Sequence, residues 1–326
     1  MGSDYVSNSL HVTLMTPFDE SEKVDTAELA RQVAQTERVD LDLPVVPIIN
    51  AEAGEIYTLE REELVANVTA AVEVANGPVV AGVVGRTTAE AIAVARDALA
   101  CGAAALFVLP PYGSADITTS WNAARYPEVV ADYLGKVADS VGDVPLIVHP
   151  TGPRTPEYGI GWPVETIEAV LDRVPTVAGW KMTYSYEGYR RVARFLRAEA
   201  PQVAILPSSA VRYHENLANR QLDGACSGSF CYALEPMLEH IRLWRAGEVD
   251  AATKLWQSGL AALHEYVYSD YSRLHIRYKL ATWIAGKISS PLMRDPMPAP
   301  LPDEVHRLYE LMSAAGLANR TPADLD

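Results

Sequence analysis

An α/β fold, a (β/α)8 TIM barrel with a C-terminal helical extension, is what this 326-residue sequence predicts, and three features carry that expectation. Short apolar runs alternate with stretches of helical periodicity, and eight such pairs follow one another between Leu10 and Gly247. The runs read as strands buried on both faces, as parallel strands covered by helices are. The same units could form an open doubly wound sheet, but that arrangement calls for a nucleotide-type glycine loop, and neither GxGxxG nor GxxxxGK occurs.

The elements follow in order. LHVTLMTPF (10–18) reads as a strand ending in a loop, and VDTAELARQVAQTERV (24–39) as a helix with an acidic first turn. VVPIIN (45–50) is the second run; the polar turn AEAGE leads from it into the helical LEREELVANVTAAVEVA (59–75). PVVAGVVG (78–85) precedes TTAEAIAVARDALACG, where Thr87 or Thr88 suits a helix cap. ALFVLPP (105–111) is followed, after a loop, by the helix YPEVVADYLGKVADSV. PLIVHP (145–150), a Gly/Pro-rich loop and PVETIEAVLDRV make the fifth unit, and TVAGWKM (176–182) with EGYRRVARFLRAEA the sixth. VAILPSSA (203–210) precedes the weaker helix YHENLANRQL, and GACSGSF (224–230) precedes LEPMLEHIRLWRAG. Beyond residue 249 the chain reads as added helices: VDAATKLWQSGLAALHEYVYS, SRLHIRYKLATWIAG and, after a proline-punctuated connector, PDEVHRLYELMSAAG. Residues 1–235 are expected to hold the barrel strands and most helices, and 236–326 the last barrel helix and the helical region of the same fold unit.

Composition narrows the function. With 49% hydrophobic and 21% charged residues the chain has an ordinary soluble composition and can build a large core without staples. Cys101, Cys226 and Cys231 match neither a zinc site nor a redox CxxC, so a reducing cytoplasm is expected. No window resembles a signal peptide or a membrane helix, and the first ten residues are short and polar. A net charge of -15 without a basic patch argues against nucleic acid. Neither a membrane nor a nucleic acid is an expected partner, and no cofactor or metal is expected. His149, Glu52, Glu55 and His214 could be imagined around an ion, but no HxH or HExxH supports one. Trp244, Trp256 and Trp283 sit at helical positions and read as packing or interface residues.

In such a barrel the chemistry sits at the C-terminal strand ends, and that rule sorts the polar residues. Thr16 ends the first strand, Glu52 and Glu55 follow the second and Tyr112 the fourth. His149 ends the fifth, with Arg154 in its loop; Lys181 and Thr183 end the sixth; Ser208 and Ser209 the seventh; Ser227 and Ser229 the eighth. Lys181 has two readings: a strand-end lysine that pairs structurally with Glu52 or points outward, or a nucleophile whose amine forms a Schiff base in a partly desolvated mouth. A nearby Glu52 opposes that activation, yet is itself a candidate acid or base. His149 is a proton shuttle or a core histidine bonded to backbone. Arg154 suits a carboxylate clamp, or lies solvated; Tyr112 offers a hydroxyl or a packed ring; the serines suit substrate oxygens.

Several of these stretches resemble the dihydrodipicolinate synthase / N-acetylneuraminate lyase family of class I aldolases over about residues 10–320. VTLMTPFDESEKVD is similar to its first strand and loop, AEAGEIYTLEREEL to its Gly-Thr-Thr-Gly-Glu turn and helix, and GVVGRTTAEAIAVARDALACGAAALFVLPPY to its third and fourth units. PLIVHPTGPRT resembles its tyrosine-bearing fifth strand and arginine loop, and GWKMT the segment of its Schiff-base lysine. The resemblance implies a barrel with C-terminal helices, often a tetramer, and lysine attack on a 2-keto acid. Carried across, Lys181 is the nucleophile, Arg154 the arginine near the entrance, and Gly54 and Glu55 the end of the turn motif. This chain also departs from the pattern. The two hydroxyl positions of the turn are Glu52 and Ala53, the tyrosine of strand five is His149, and the tyrosine before Tyr112 is Pro111. The threonine–tyrosine–tyrosine relay is therefore missing as a unit, and Glu52 would repel a carboxylate held at the turn.

The expectation is a lysine Schiff-base lyase or aldolase acting on a small carbonyl compound, a 2-keto acid or an unusual ketone or aldehyde, by aldol cleavage, condensation or dehydration. Lys181, His149 and Glu52 are its candidate catalytic residues. Arg154, Tyr112, Thr16, Thr183, Ser208 and Ser227 are its candidate substrate contacts. A homo-oligomer, dimer or tetramer, is expected in the cytoplasm. The alternative is a non-catalytic barrel with a ligand-binding or regulatory role.

Overall fold

Apolar runs too short to fold alone become parallel strands when helices cover both faces. In the computed structural model, which describes residues 4–38, 42–112 and 122–325, every one of the eight expected runs is a strand of one sheet. The strands are β1 (Leu10–Thr13), β2 (Val45–Ile49), β3 (Val80–Val83), β4 (Ala105–Val108), β5 (Leu146–Val148), β6 (Thr151–Thr155), β7 (Gly159–Gly161), β8 (Val177–Met182), β9 (Ala204–Pro207) and β10 (Ala225–Ser227). The sheet runs β10-β1-β2-β3-β4-β5-β8-β9. At the seam between β9 and β10, Asp223 N–H donates to Ile205 O at 3.1 Å, and Ile205 N–H donates to Asp223 Oδ2 at 2.8 Å. Arg197 holds the same carboxylate at 2.6 Å, so a side chain helps close the barrel.

The helices are α1 (Asp4–Ser7), α2 (Thr26–Thr36), α3 (Arg61–Val74), α4 (Thr88–Ala100), α5 (Pro127–Val141), α6 (Val164–Arg173), α7 (Tyr186–Glu199), α8 (Tyr213–Ala218), α9 (Phe230–Arg245), α10 (Val249–Leu255), α11 (Ala261–Tyr268), α12 (Leu274–Ile284) and α13 (Pro302–Ala314). Thr87 caps α4 by accepting the Glu90 N–H at 3.2 Å, and Asp25 caps α2 through Glu28 N–H at 2.9 Å. Val39, the end of the expected second-element helix, and most of the loop after β4 lie outside the described residues. The polar start hides a short helix, α1, whose Val6 is fully buried against the sheet. Gly179 of β8 makes room for it, since a Cβ there would lie 3.1 Å from Val6 Cγ1.

Three local features differ from the sequence expectation. The Gly/Pro-rich loop after β5 is an antiparallel hairpin, β6 with β7. Trp162 fastens it, its indole N–H donating to Thr151 O at 3.0 Å. The long helix expected after Val249 is broken by a π-type bulge at Trp256–Leu260, where Gly259 takes φ 132. A Cβ at Gly259 would stand 2.9 Å from Ala315 Cα, so the bulge lets the end of α13 approach closely. Helix α9 begins at Phe230 and kinks at Ala233, a turn before Pro236, whose ring cannot follow a straight helix. A single buried apolar cluster runs from the strands into α11, α12 and α13.

Candidate active site

The C-terminal ends of β2, β5, β8, β9 and β10 surround a cavity of about 200 Å³. Glu52, His149, Lys181, Thr183, Ser208 and Ser227 all line it. That is smaller than the roughly 300–1,000 Å³ of pockets for drug-sized ligands, so a small molecule fits it.

Glu52 is delivered by a tight turn. The turn lies between two non-glycine residues in the left-handed region, Asn50 at φ 58 and Glu55 at φ 63, each a strained choice that neighbours must hold. Asn50 is held because its amide donates to Leu64 O at 2.9 Å and its oxygen accepts from Asn67 at 3.0 Å. Glu55 accepts from Lys279 Nζ at 2.8 Å and from Arg294 N–H at 3.0 Å. Gly54 is required between them: a Cβ there would lie 2.6 Å from Leu14 O. Thr16 closes the turn, its hydroxyl donating to Gly54 O at 2.5 Å.

Lys181 is delivered by strand alternation. Successive residues of β8 face opposite sides. Trp180 points to the helices, with its indole N–H donating to Tyr184 OH at 3.0 Å and its ring 6.0 Å from that of Trp162. Lys181 therefore points into the barrel and is 3% exposed. Its ammonium donates to Glu52 Oε1 in a buried ion pair and lies 5.1 Å from the centre of the Phe107 ring. His149, which follows β5, stacks on the same Phe107 at 5.4 Å, with Nδ1 3.7 Å from Glu52 Oε2. An apolar ring thus floors a cluster of one amine, one carboxylate and one imidazole.

The charges settle as follows. Burial pushes the Glu52 carboxyl up, but Lys181 above all, then the neighbouring imidazoles, outweigh it and bring it down to about 2. Burial alone would lower the Lys181 amine; Glu52 overrides it, so the amine sits above its ordinary value. His149 is pushed down to about 3 by burial and by the Lys181 charge, against the pull of Glu52, and is a neutral imidazole near pH 7. Burial lifts the Cys226 thiol on the cavity wall to about 12, which keeps it protonated and a poor nucleophile. The polar atoms Glu52 Oε2, His149 Nδ1 and Thr183 Oγ1 are buried without a hydrogen-bond partner among the described residues.

The C-terminal helices supply what the strand-end rule does not reach. His275 and Tyr278 of α12 and Tyr268 of α11 line the cavity. His275 lies close enough to Glu52 and Lys181 for each to act on its charge, and burial lowers its pKa. Tyr268 is a buried hub: it donates to Ser208 O at 2.8 Å and bonds Ser229 Oγ at 2.8 Å and Ser227 Oγ at 3.1 Å. The sequence signal for these residues is that Tyr271, His275 and Tyr278 recur at helical spacing in a stretch that mixes apolar and basic residues.

Other sequence candidates stand elsewhere. Thr16 serves the turn and Glu55 its anchor. Tyr112 is 41% exposed, edge-on to Tyr57 at 5.6 Å, and does not line the cavity. Arg154 is exposed on β6, and its charge acts on the ring of Tyr271 at the cavity wall. His214 is not near His149: it bonds His240 at 3.0 Å under Trp244. No helix among the described residues is long and apolar enough to cross a membrane.

Comparison with known proteins comes to one family. The sequence profile of the dihydrodipicolinate synthetase family matches residues 7–315. The chain is 29% identical over 271 residues to a 4-hydroxy-tetrahydrodipicolinate synthase of Acidiphilium cryptum, covering 82% of this chain and 85% of that protein. It is 27% identical over 208 residues to a probable 2-dehydro-3-deoxy-D-pentonate aldolase of Escherichia coli, covering 62% and 64%. Among solved structures it is similar to a prophage protein of the dihydrodipicolinic acid synthase family from E. coli K12 in complex with pyruvate, with TM-score 0.79, 20% identity and coverage of 95% and 99%. Dihydrodipicolinate synthase of Aquifex aeolicus gives TM-score 0.78 at 21% identity, also covering 95% and 99%.

Proposed function

The chain belongs to the dihydrodipicolinate synthetase family of Schiff-base lyases and aldolases, and on that premise we propose that Lys181 is the nucleophile toward a small carbonyl compound, with Glu52 and His149 moving its protons. The ammonium of Lys181 passes one proton to Glu52 Oε1, and the free amine attacks the carbonyl carbon. A C–N bond forms, and the carbonyl oxygen takes the proton back from Glu52 as a hydroxyl. A second proton from nitrogen, relayed through the same carboxylate, releases that hydroxyl as water. The balance is ammonium, carboxylate and carbonyl going to iminium, carboxylate and water. The iminium draws electrons from the neighbouring carbon, so a C–C bond can break or form, or a hydroxyl leave, while neutral His149 takes or gives the proton. Glu52 and His149 stand where the family has hydroxyls, so a carboxylate–imidazole pair takes over the relay.

The observation that carries this reading is the buried contact of Lys181 Nζ with Glu52 Oε1 at the base of the cavity, which joins a nucleophile to its proton acceptor. In the same reading Thr183, Ser208 and Ser227 meet substrate oxygens, and Arg154 stands by the mouth. Thr16 and Tyr112 act from outside the cavity. A homo-oligomer is the expected assembly, and the cytoplasm, which suits three free cysteines, its location. Intact-mass analysis after borohydride reduction with a panel of carbonyl compounds tests the chemistry. An adduct on Lys181, lost in a folded Lys181→Met, is expected. An adduct that survives Lys181→Met removes the role.

A further inference from the structure

We infer that the carbonyl compound taken by this site is uncharged beside its carbonyl, an α-hydroxy aldehyde or α-hydroxy ketone in place of a 2-keto acid, because Glu52 Oε2 and His149 Nδ1 present a buried, unpartnered pair to the group next to the reacting carbon. The inference rests on the Schiff-base reading of Lys181.

Charge is the first ground. Among the described residues, Lys181 and Glu52 are the two ionised side chains lining the cavity; His149, His275 and Cys226 there are neutral near pH 7, and the remaining polar groups are hydroxyls. Iminium formation keeps the positive charge on nitrogen, so with an uncharged substrate the cavity holds one cation and one anion before and after the step. A 2-keto acid adds a second carboxylate to the same buried volume with no second cation among the described lining residues. Arg154 does not repair this, being exposed on the hairpin outside the cavity.

Hydrogen bonding is the second, independent ground. Among the described residues Glu52 Oε2 is buried without a hydrogen-bond partner, and so are His149 Nδ1, 3.7 Å away, and Thr183 Oγ1. A carboxylate oxygen such as Oε2 needs a donor. A substrate hydroxyl supplies one and reaches the imidazole as well; a substrate carboxylate supplies none and leaves Oε2 unpaired. Size is compatible: about 200 Å³ suits a short hydroxycarbonyl compound.

Hydroxyacetone and pyruvate separate the cases, since they differ only in carrying a hydroxymethyl group or a carboxylate beside the ketone. Each is trapped with cyanoborohydride near neutral pH, and its rate on the protein is divided by its rate on free Nα-acetyl-lysine to remove intrinsic reactivity. The wild type should favour hydroxyacetone by roughly 100-fold, the factor for two carboxylates about 6 Å apart at an effective dielectric of 20. Glu52→Thr, which removes the charge, should erase or invert that preference. Glu52→Gln does the same without changing shape, should the threonine variant not fold. A wild type that favours pyruvate overturns the inference and leaves the Schiff-base reading standing. A preference for hydroxyacetone that both variants keep also overturns it, because Glu52 is then not its cause. No Lys181 adduct with either compound or with any of the wider panel fails the Schiff-base reading itself, and the inference falls with it.

Discussion

Replacing Glu52 by glutamine isolates what the carboxylate does to the nucleophile. Two opposing influences act on Lys181: burial, which lowers its pKa, and Glu52, which raises it and prevails. At about 4 Å and an effective dielectric of 20, one unit charge is worth about 4 kcal/mol, or about 3 pKa units. Glu52→Gln removes the largest influence that raises the amine, so its pKa falls. The assay is reductive methylation by formaldehyde, whose rate follows the neutral amine, read on the Lys181 peptide across pH. The midpoint should move down by about 3 units in Glu52→Gln. Turnover should nevertheless fall by about 10²–10⁴-fold, because the variant's amine is free but has nowhere to pass and recover a proton. A midpoint that stays put, or rises, refutes the electrostatic account of the pair.

Three further outcomes are expected. His149→Phe keeps the stack on Phe107 but loses the proton carrier, so adduct formation persists while turnover drops about 10²–10⁴-fold; unchanged turnover removes His149 from the relay. Lys279→Met leaves Glu55 without its buried cation and should cost about 3–5 kcal/mol in denaturant unfolding, with weaker Lys181 trapping in the folded fraction because the turn that carries Glu52 loosens; full stability would show that the Arg294 N–H suffices. His11, His149, His240 and His264 are held down, chiefly by burial, to about 4, 3, 4 and 3, so the unfolded chain binds protons that the folded chain refuses. Their stabilisation is complete above about pH 6.5 and is lost as pH falls toward those values, about 2 kcal/mol each at pH 5. Glu52, depressed to about 2, works in the other window and contributes no acid sensitivity at pH 5. Melting temperature should be level above pH 7 and drop steeply between pH 6.5 and 5; a level curve through pH 5 contradicts the burial of these imidazoles.

The eight strands were legible because their residues are apolar without alternation, and such runs have few other places to go. The six strand-end side chains around the cavity followed from the same pattern, since a strand's last residues sit at the barrel mouth. What stayed hidden depends on long-range contact. His275 and Tyr268 come from helices after the barrel, and nothing local in their sequence says which face meets the mouth. The break at Gly259 reflects the approach of Ala315, far along the chain, and not a helix-breaking sequence alone. Glu52 and Glu55 look alike in AEAGE; the family resemblance separates their positions in the turn, and the fold adds the partner each one holds.

That difference shows how the turn divides its work. Glu55 has both oxygens occupied, by Lys279 and by the Arg294 N–H, and lies 5% exposed under the turn. With a donor on each oxygen and no place in the cavity lining, it holds the left-handed backbone and does not face a ligand. Glu52 spends one oxygen on Lys181 and keeps the other unpaired beside His149. A buried carboxylate oxygen without a donor is unfavourable by about 1–3 kcal/mol or more, and the folded chain tolerates it because Glu55 and Asn50 fix the backbone on either side. A group that enters the cavity and donates to Oε2 recovers that energy on binding. The two oxygens therefore divide three properties: Oε2 lowers the stability of the empty site and selects a hydrogen-bond donor beside the carbonyl, while Oε1 stands ready to take the proton that Lys181 must lose.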